Sequence, residues 1–334
     1  MGVIDSLSAG YRFLGRRIEL LIIPVLIDLA IWFLPRLSMG TLFGQLADLY
    51  GAMAATEGMP SELAEMATQV SPFVAEYGNA TNLWRMLANQ TLVHVPSMMR
   101  VMGPMPGQGV IQIGSWPAVV AIFFVLGALA LLLGVIYLTM LAQRLPIGHS
   151  AKAASAGTFA SDVMGSWAKI MGFVILLGLG LMTLYLAVNI LAIPILLFLP
   201  AVATALAFGL FVLTFLALVF FYFVTAGIVL DKLSIREGIA HSVMLVRSNF
   251  VATLFFILVT NLIAVGFSII LSSIGRAAPV GTVTAILVNA YIGTGLAMAL
   301  LVFYRTRWLK LVGAPEALYE PSTDGSTGDS GPGL

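Results

Sequence analysis

The sequence predicts an all-α, polytopic integral membrane protein with about six transmembrane helices and further amphipathic helices at the interfaces. Three observations carry this reading. Of 334 residues, 60% are hydrophobic and only 9% are charged. The mean hydropathy is +1.03. Long apolar runs recur along the chain, several reaching the roughly 20 residues that a helical span needs. A soluble domain is about 45–50% apolar and about 25% charged, so here too few polar residues remain to cover a water-facing surface. That composition excludes an ordinary soluble enzyme and a disordered chain. A net charge of +1 supplies no field for nucleic acid. With no cysteine present, disulfides, thiolate metal sites and cysteine nucleophiles are all excluded. The runs are too long, and alternate too little, for barrel strands.

Taken in order, the first predicted span is 18–36 (IELLIIPVLIDLAIWFLPR) and the second is 117–142. Residues 170–230 carry no charge at all, enough for two spans, with Pro194 and Pro200 marking the break between them. The third and fourth spans are then 170–193 and 201–229. The fifth is 250–273 and the sixth 282–304. A leader peptide is disfavoured for the first run, because the nearest small-residue site, Ala52–Ala54, lies far beyond it. The opening MGVIDS matches a short myristoylation pattern, for which chance is the default reading.

Three cytoplasmic connections read as amphipathic helices, 3–17, 153–169 and 233–248, each leading into an outward-going span. FLGRR at 13–17 and MLVRS at 244–248 share a loose pattern, consistent with three hairpin units. The sizeable non-membrane segment is 37–116, an outer helical cap within a membrane domain of 1–312. In it Leu42, Leu46, Leu49, Tyr50 and Met53 keep helical spacing, as do Met59, Leu63, Met66, Val70, Phe73 and Tyr77. Gly58 and Pro60 separate the two runs, and Ser61 is a candidate N-cap with Glu62 and Glu65 in the first turn. The tail, 313–334, is rich in Gly, Ser, Pro and Asp and reads as disordered.

Orientation follows from Lys and Arg. With the N-terminus inside, Arg12, Arg16, Arg17, Arg144, Lys152, Lys169, Lys232, Arg236, Arg247, Arg305, Arg307 and Lys310 are cytoplasmic. Only Arg36, Arg85, Arg100 and Arg276 lie outside. Both termini are therefore expected in the cytoplasm of a multi-pass cell-membrane protein.

Candidate chemistry is sparse. Asp28 sits in the middle of the first span, where an unpaired carboxylate costs several kcal/mol. It reads as a proton or cation site, or as a helix-to-helix hydrogen bond, the preferred reading. Thr260 and Asn261 lie at similar depth, with Asn189 and Asn289 nearer the outer face. Asn289, Gly293 and Ala297, beside Gly295 and Ala299, form a small-residue face. Packing is its default use and a broken-helix substrate site the alternative. His94, Met98, Met99, Met102 and Met105 cluster in the outer segment. Thioethers suit Cu(I), and adaptable apolar filling is the competing reading. His149 and His241 share the cytoplasmic side with Asp162, Asp231 and Glu237, but no H-E-x-x-H, G-x-S-x-G or P-loop pattern occurs. No cofactor is expected. Asn79-Ala80-Thr81 and Asn89-Gln90-Thr91 are sequons that matter only in a glycosylating host.

The opening VIDSLSAGYRFLGRRIELLIIPVLIDLAIWFLPRLS resembles a group of uncharacterised bacterial six-span membrane proteins, which implies a bacterial inner membrane. VLDKLSIREGIAHSVMLVRSNFVATLFFILV, 229–259, resembles the membrane domain that precedes some glycerophosphodiester phosphodiesterases. There, a short amphipathic helix ending in L-V-R-x-N-F enters the next span. The hydrolytic barrel of those enzymes begins His-Arg-Gly, and this chain carries no such motif. The resemblance therefore implies fold and topology without the catalysis. The expectation is a non-enzymatic scaffold or accessory subunit of a membrane complex, in contact with the bilayer and with a membrane-protein partner or further copies of itself. The alternatives are a transporter or channel for a lipid or small solute using Asp28, or an enzyme at the cytoplasmic interface.

Overall fold

The computed structural model describes residues 2–56, 58–88, 92–103, 107–145, 156–277 and 279–313. The protein is 80% helical. Its elements are α1 (Val3–Leu14), α2 (Ile22–Phe33), β1 (Arg36–Ser38), α3 (Gly40–Ala54), α4 (Ser61–Ala80), α5 (Arg85–Ala88) and β2 (Val110–Gln112). There follow α6 (Trp116–Gln143), α7 (Ala156–Phe198), α8 (Pro200–Phe220), α9 (Val224–Asp231), α10 (Ile235–Ser248), α11 (Phe250–Gly275) and α12 (Val280–Leu311). Among the described residues, five stretches are long and apolar enough to cross a membrane: Trp116–Gln143, Gly157–Ala192, Ala201–Leu230, Phe250–Gly275 and Val280–Leu311. His149, Lys152, Met105, the sequon at 89–91 and the tail beyond Gly313 lie outside the described residues.

The predicted first span is not one continuous helix. Ile18–Leu21 is a 3-10 turn, and α2 covers only 12 residues. Prolines explain both ends. Pro24, in the first turn of α2, has no N–H, and its ring crowds the carbonyl four residues back, so the α-helix cannot extend towards Ile18. Pro35 turns Leu34 to extended backbone, with ψ 143°. A second difference concerns 153–193, read as an interfacial helix followed by a span. Its described part, 156–193, belongs instead to one helix of 43 residues, α7, which passes Pro194 and stops before Pro200. The break falls at Leu199, and Pro200 opens α8, where its missing N–H costs nothing.

The chain divides into two compact units. The first comprises Met1–Arg16, Leu138–Ile257 and Leu296–Leu334. Ala297–Tyr304 is buried throughout and forms its core strip. Phe303 stacks between Phe256 (4.5 Å between ring centroids) and Phe223 (5.7 Å). The turn between α8 and α9 is held by Ser242 of α10: its hydroxyl donates to the Phe220 carbonyl (2.7 Å) and accepts from the Phe223 N–H (3.2 Å). Ser242 is wholly buried and satisfies two groups that the helix break frees. The N-terminus of α10 is a capping box. The Ser234 hydroxyl accepts from the Glu237 N–H (3.3 Å), and the Glu237 carboxylate accepts from the Ser234 N–H (2.8 Å).

The second unit comprises Arg17–Tyr137 and Leu258–Gly295. β1 and β2 pair in parallel, Arg36 opposite Val110 and Ser38 opposite Gln112. Between them α3 and α4, the two helices that the amphipathic runs predict, pack against each other. They approach closely because Gly78 lacks a side chain: a Cβ there would lie 2.3 Å from Phe43 Cβ. Ser71 Oγ donates to the Ala47 carbonyl (2.9 Å), and Ser38 Oγ to the Gly78 carbonyl (3.2 Å).

Candidate functional site

Asp28 is 0% exposed, in the middle of α2. One carboxylate oxygen accepts from the Ser97 hydroxyl and the Met99 N–H (3.3 Å), the other from the Met98 N–H (2.7 Å). The turn that follows is itself closed by bonds from the Val101 and Met102 N–H groups to the Met98 carbonyl (3.1 and 3.2 Å). Asp28 thus supplies to this turn what an N-cap residue supplies to a helix, from about seventy positions earlier in the chain. Its partners come from the 37–116 segment rather than from the helix carrying Thr260 and Asn261, which corrects the sequence-based pairing. Proline placement explains the meeting. Pro96 keeps Val95 and Ser97 out of a helix, so the N–H groups of Met98 and Met99 stay available. Gln108 finishes the same helix, its side-chain amide donating to the carbonyls of Ile31 (2.9 Å), Trp32 (3.0 Å) and Leu34 (3.1 Å).

Met98, Met99 and Met102 are buried, and the Met102 thioether lies where a Cβ on Gly275 would stand, 2.6 Å from its methyl. Met102 thus packs against α11. His94 adopts the left-handed conformation, φ 52°, uncommon outside glycine. Burial holds its pKa down from 6.5 to about 4, so the ring is neutral at physiological pH.

Of the small-residue face, Gly293 is the position with a decisive contact. A Cβ there would lie 2.1 Å from Pro96 Cβ, so the missing side chain seats the 95–97 segment. Asn289 is buried, and Asn261 is exposed.

On the predicted cytoplasmic side, Asp231 is already engaged. It accepts from the Arg305 guanidinium and from the Tyr304 hydroxyl (2.8 Å). Arg305 is only 7% exposed, so this is a largely buried pair that leaves Asp231 little capacity for a metal. Sequence reasoning placed both charges on one side but did not pair them; the signal was their common position at the inner ends of predicted spans four and six. His241 stacks on Trp308, centroids 3.8 Å apart. Asp162 pairs with Lys232 (2.8 Å). Glu237 has its pKa lowered, first by the backbone N–H of Ser234 and then by that residue's side chain. Among the described residues, no three His, Asp or Glu side chains converge on a common point.

No protein-family model, no curated protein and no solved structure matches the chain.

Proposed function

We propose that this chain is a non-enzymatic integral membrane protein serving as a scaffold or accessory subunit of a membrane complex. The observation that carries the reading is α7. Its most apolar window, within Gly157–Ala192, has no buried residue. Leu179, Met182, Leu186, Ile190 and Leu191 are all exposed there. Lipid would cover such residues equally well, but α7 also exposes an amide. Asn189 donates to its own helix's Tyr185 carbonyl (2.8 Å), which leaves its side-chain oxygen as an acceptor on an apolar surface. Such a group gains most from a neighbouring helix that brings a donor.

Transport is less well supported, because both oxygens of Asp28 are consumed in holding a turn. For enzyme chemistry, the described His, Asp and Glu side chains form no group of three that converges on one point. The resemblance of residues 229–259 to a phosphodiesterase membrane domain fits the same non-catalytic reading. We further propose six spans with both termini cytoplasmic, the first built from Ile18–Leu21 and α2 together. Their combined rise is about 26 Å, close to the ~30 Å of a hydrocarbon core.

The test is photo-crosslinking from position 186, exposed one turn before Asn189, in native membranes, with position 164 on the same helix as control, followed by mass spectrometry. A discrete protein adduct from 186, absent from 164 and abolished when Asn189 is replaced by Leu, supports the accessory-subunit reading. Adducts with lipid alone reject it.

A further inference from the structure

A second feature of the outer segment adjoins the turn held by Asp28. Arg36, Asn82, Arg85, Met99, Met102 and Gln108 are among the residues lining a shallow, open cleft. Its enclosed floor is about 10 Å³, room for one water-sized atom at most. Two arginines face it with no acid beside them. The described ion pairs are Arg17–Glu19, Lys232–Asp162 and Arg305–Asp231, so no described carboxylate lies within ion-pair distance of Arg36 or Arg85.

Each guanidinium is anchored through one nitrogen to a backbone carbonyl. Arg36 donates through Nη1 to the Asn79 carbonyl (3.4 Å), while its buried Nε has no partner. Arg85 donates to the Met102 carbonyl. Burial and then the neighbouring Arg36 lower the pKa of Arg85. Asn82, 8% exposed, gives its side-chain oxygen to the N–H groups of Leu37 (3.3 Å) and Trp84 (3.2 Å). Its NH2 is the end that remains as a donor. The backbone fixes the arrangement: Arg36 opens β1 and is held by its N–H to the Gly109 carbonyl (2.7 Å), and Arg85 opens α5.

Two like charges held together while partly dehydrated are unfavourable unless something negative joins them. The donor set is cationic, planar and forked, which matches a tetrahedral oxyanion. We propose that the Arg36–Arg85 cleft, with Asn82 at its wall, binds a phosphate group, one oxygen entering the floor and the rest standing at the mouth. Phosphate reaches this position either as a free anion or as the headgroup of an anionic lipid.

The test uses the full chain purified in neutral detergent, in phosphate-free buffer. Thermal unfolding is followed with inorganic phosphate, with a short-chain phosphatidylglycerol, and with gluconate as the ionic control. The native chain should gain about 2 °C or more with a phosphate ligand and nothing with gluconate. A gain with inorganic phosphate identifies a free-anion site, and a gain with the lipid alone identifies a headgroup site. No gain with either overturns the proposal.

Arg85→Gln should abolish the response, and Arg100→Gln, at an exposed arginine outside the cleft, should retain it. A response that survives Arg85→Gln overturns the proposal. Should that variant not fold, Arg36→Lys carries the same test: it keeps the charge, loses the fork, and should weaken apparent phosphate affinity about tenfold. An unchanged affinity there overturns the proposal.

Discussion

Asp28 shows how a buried carboxylate can be structural. It receives three hydrogen bonds and presents no free oxygen. Asp28→Asn keeps one acceptor oxygen but turns an NH2 towards a donor. It should fold with a melting temperature a few degrees lower, a loss of about 1–3 kcal/mol. Asp28→Leu leaves one hydroxyl and two N–H groups unpaired, and should not accumulate as folded protein. Thermal unfolding in detergent and expression yield separate the two outcomes. A normal melting curve for Asp28→Leu would refute the role. His94 gives a pH dependence whose sign is fixed. Its folded pKa, about 4, lies below the ordinary 6.5, so between these values the unfolded chain binds more protons. Stability contributed by the neutral ring is complete above pH 6.5 and is lost progressively as pH falls to 4. His94→Asn, which tolerates the left-handed backbone, should flatten the slope of melting temperature against pH in that window.

At the level of elements, helix ends and crossings carry the information. Ser242→Ala would orphan the Phe220 carbonyl and the Phe223 N–H at the α8–α9 turn. It should lower stability by about 1–3 kcal/mol, measured as a shift in detergent unfolding. Gly78→Ala places a methyl 2.3 Å from Phe43 Cβ and should cost a similar amount through overpacking. Gly78→Ala combined with Phe43→Ala should recover part of that loss. The sequence displayed much of this level. The helices α3 and α4 were legible from their spacing, and α10 as the amphipathic run 233–248. The long continuity of α7 was not, because proline rules mark where a helix is disfavoured without weighing what holds it together. Nor was the Asp28–Ser97 pairing, since no local pattern ties two residues so far apart in the chain. The Arg36–Arg85 cleft was equally hidden: both arginines entered the sequence reading only as counts in a charge balance.

For the whole molecule, hydropathy decides the class and leaves function to particular groups. The five long apolar stretches give the chain the make-up of a multi-pass membrane protein. The Lys and Arg distribution then makes a sided prediction. The native chain has no cysteine, so single cysteines report accessibility without background. Cysteine placed at Glu65 should react with an impermeant thiol reagent in intact cells. Cysteine at Arg236 should react only after permeabilisation. The reverse pattern would invert the topology and move the Arg36–Arg85 cleft to the cytoplasmic side.

The parallel pairing of β1 with β2 has a consequence for cleavage. Arg36 and Val110 are neighbours in space, and everything from α3 to α5 is an excursion whose two ends are stapled together. The bend between α3 and α4, where Gly58 takes φ +87°, is the natural place for a protease to nick. A chain cut there would remain one particle, its halves held by the strand pair, by Ser71 on Ala47, and by Asp28 on the Met98 turn. The same geometry makes the excursion a place where the protein can be expressed as two complementing pieces, each completing the other's fold.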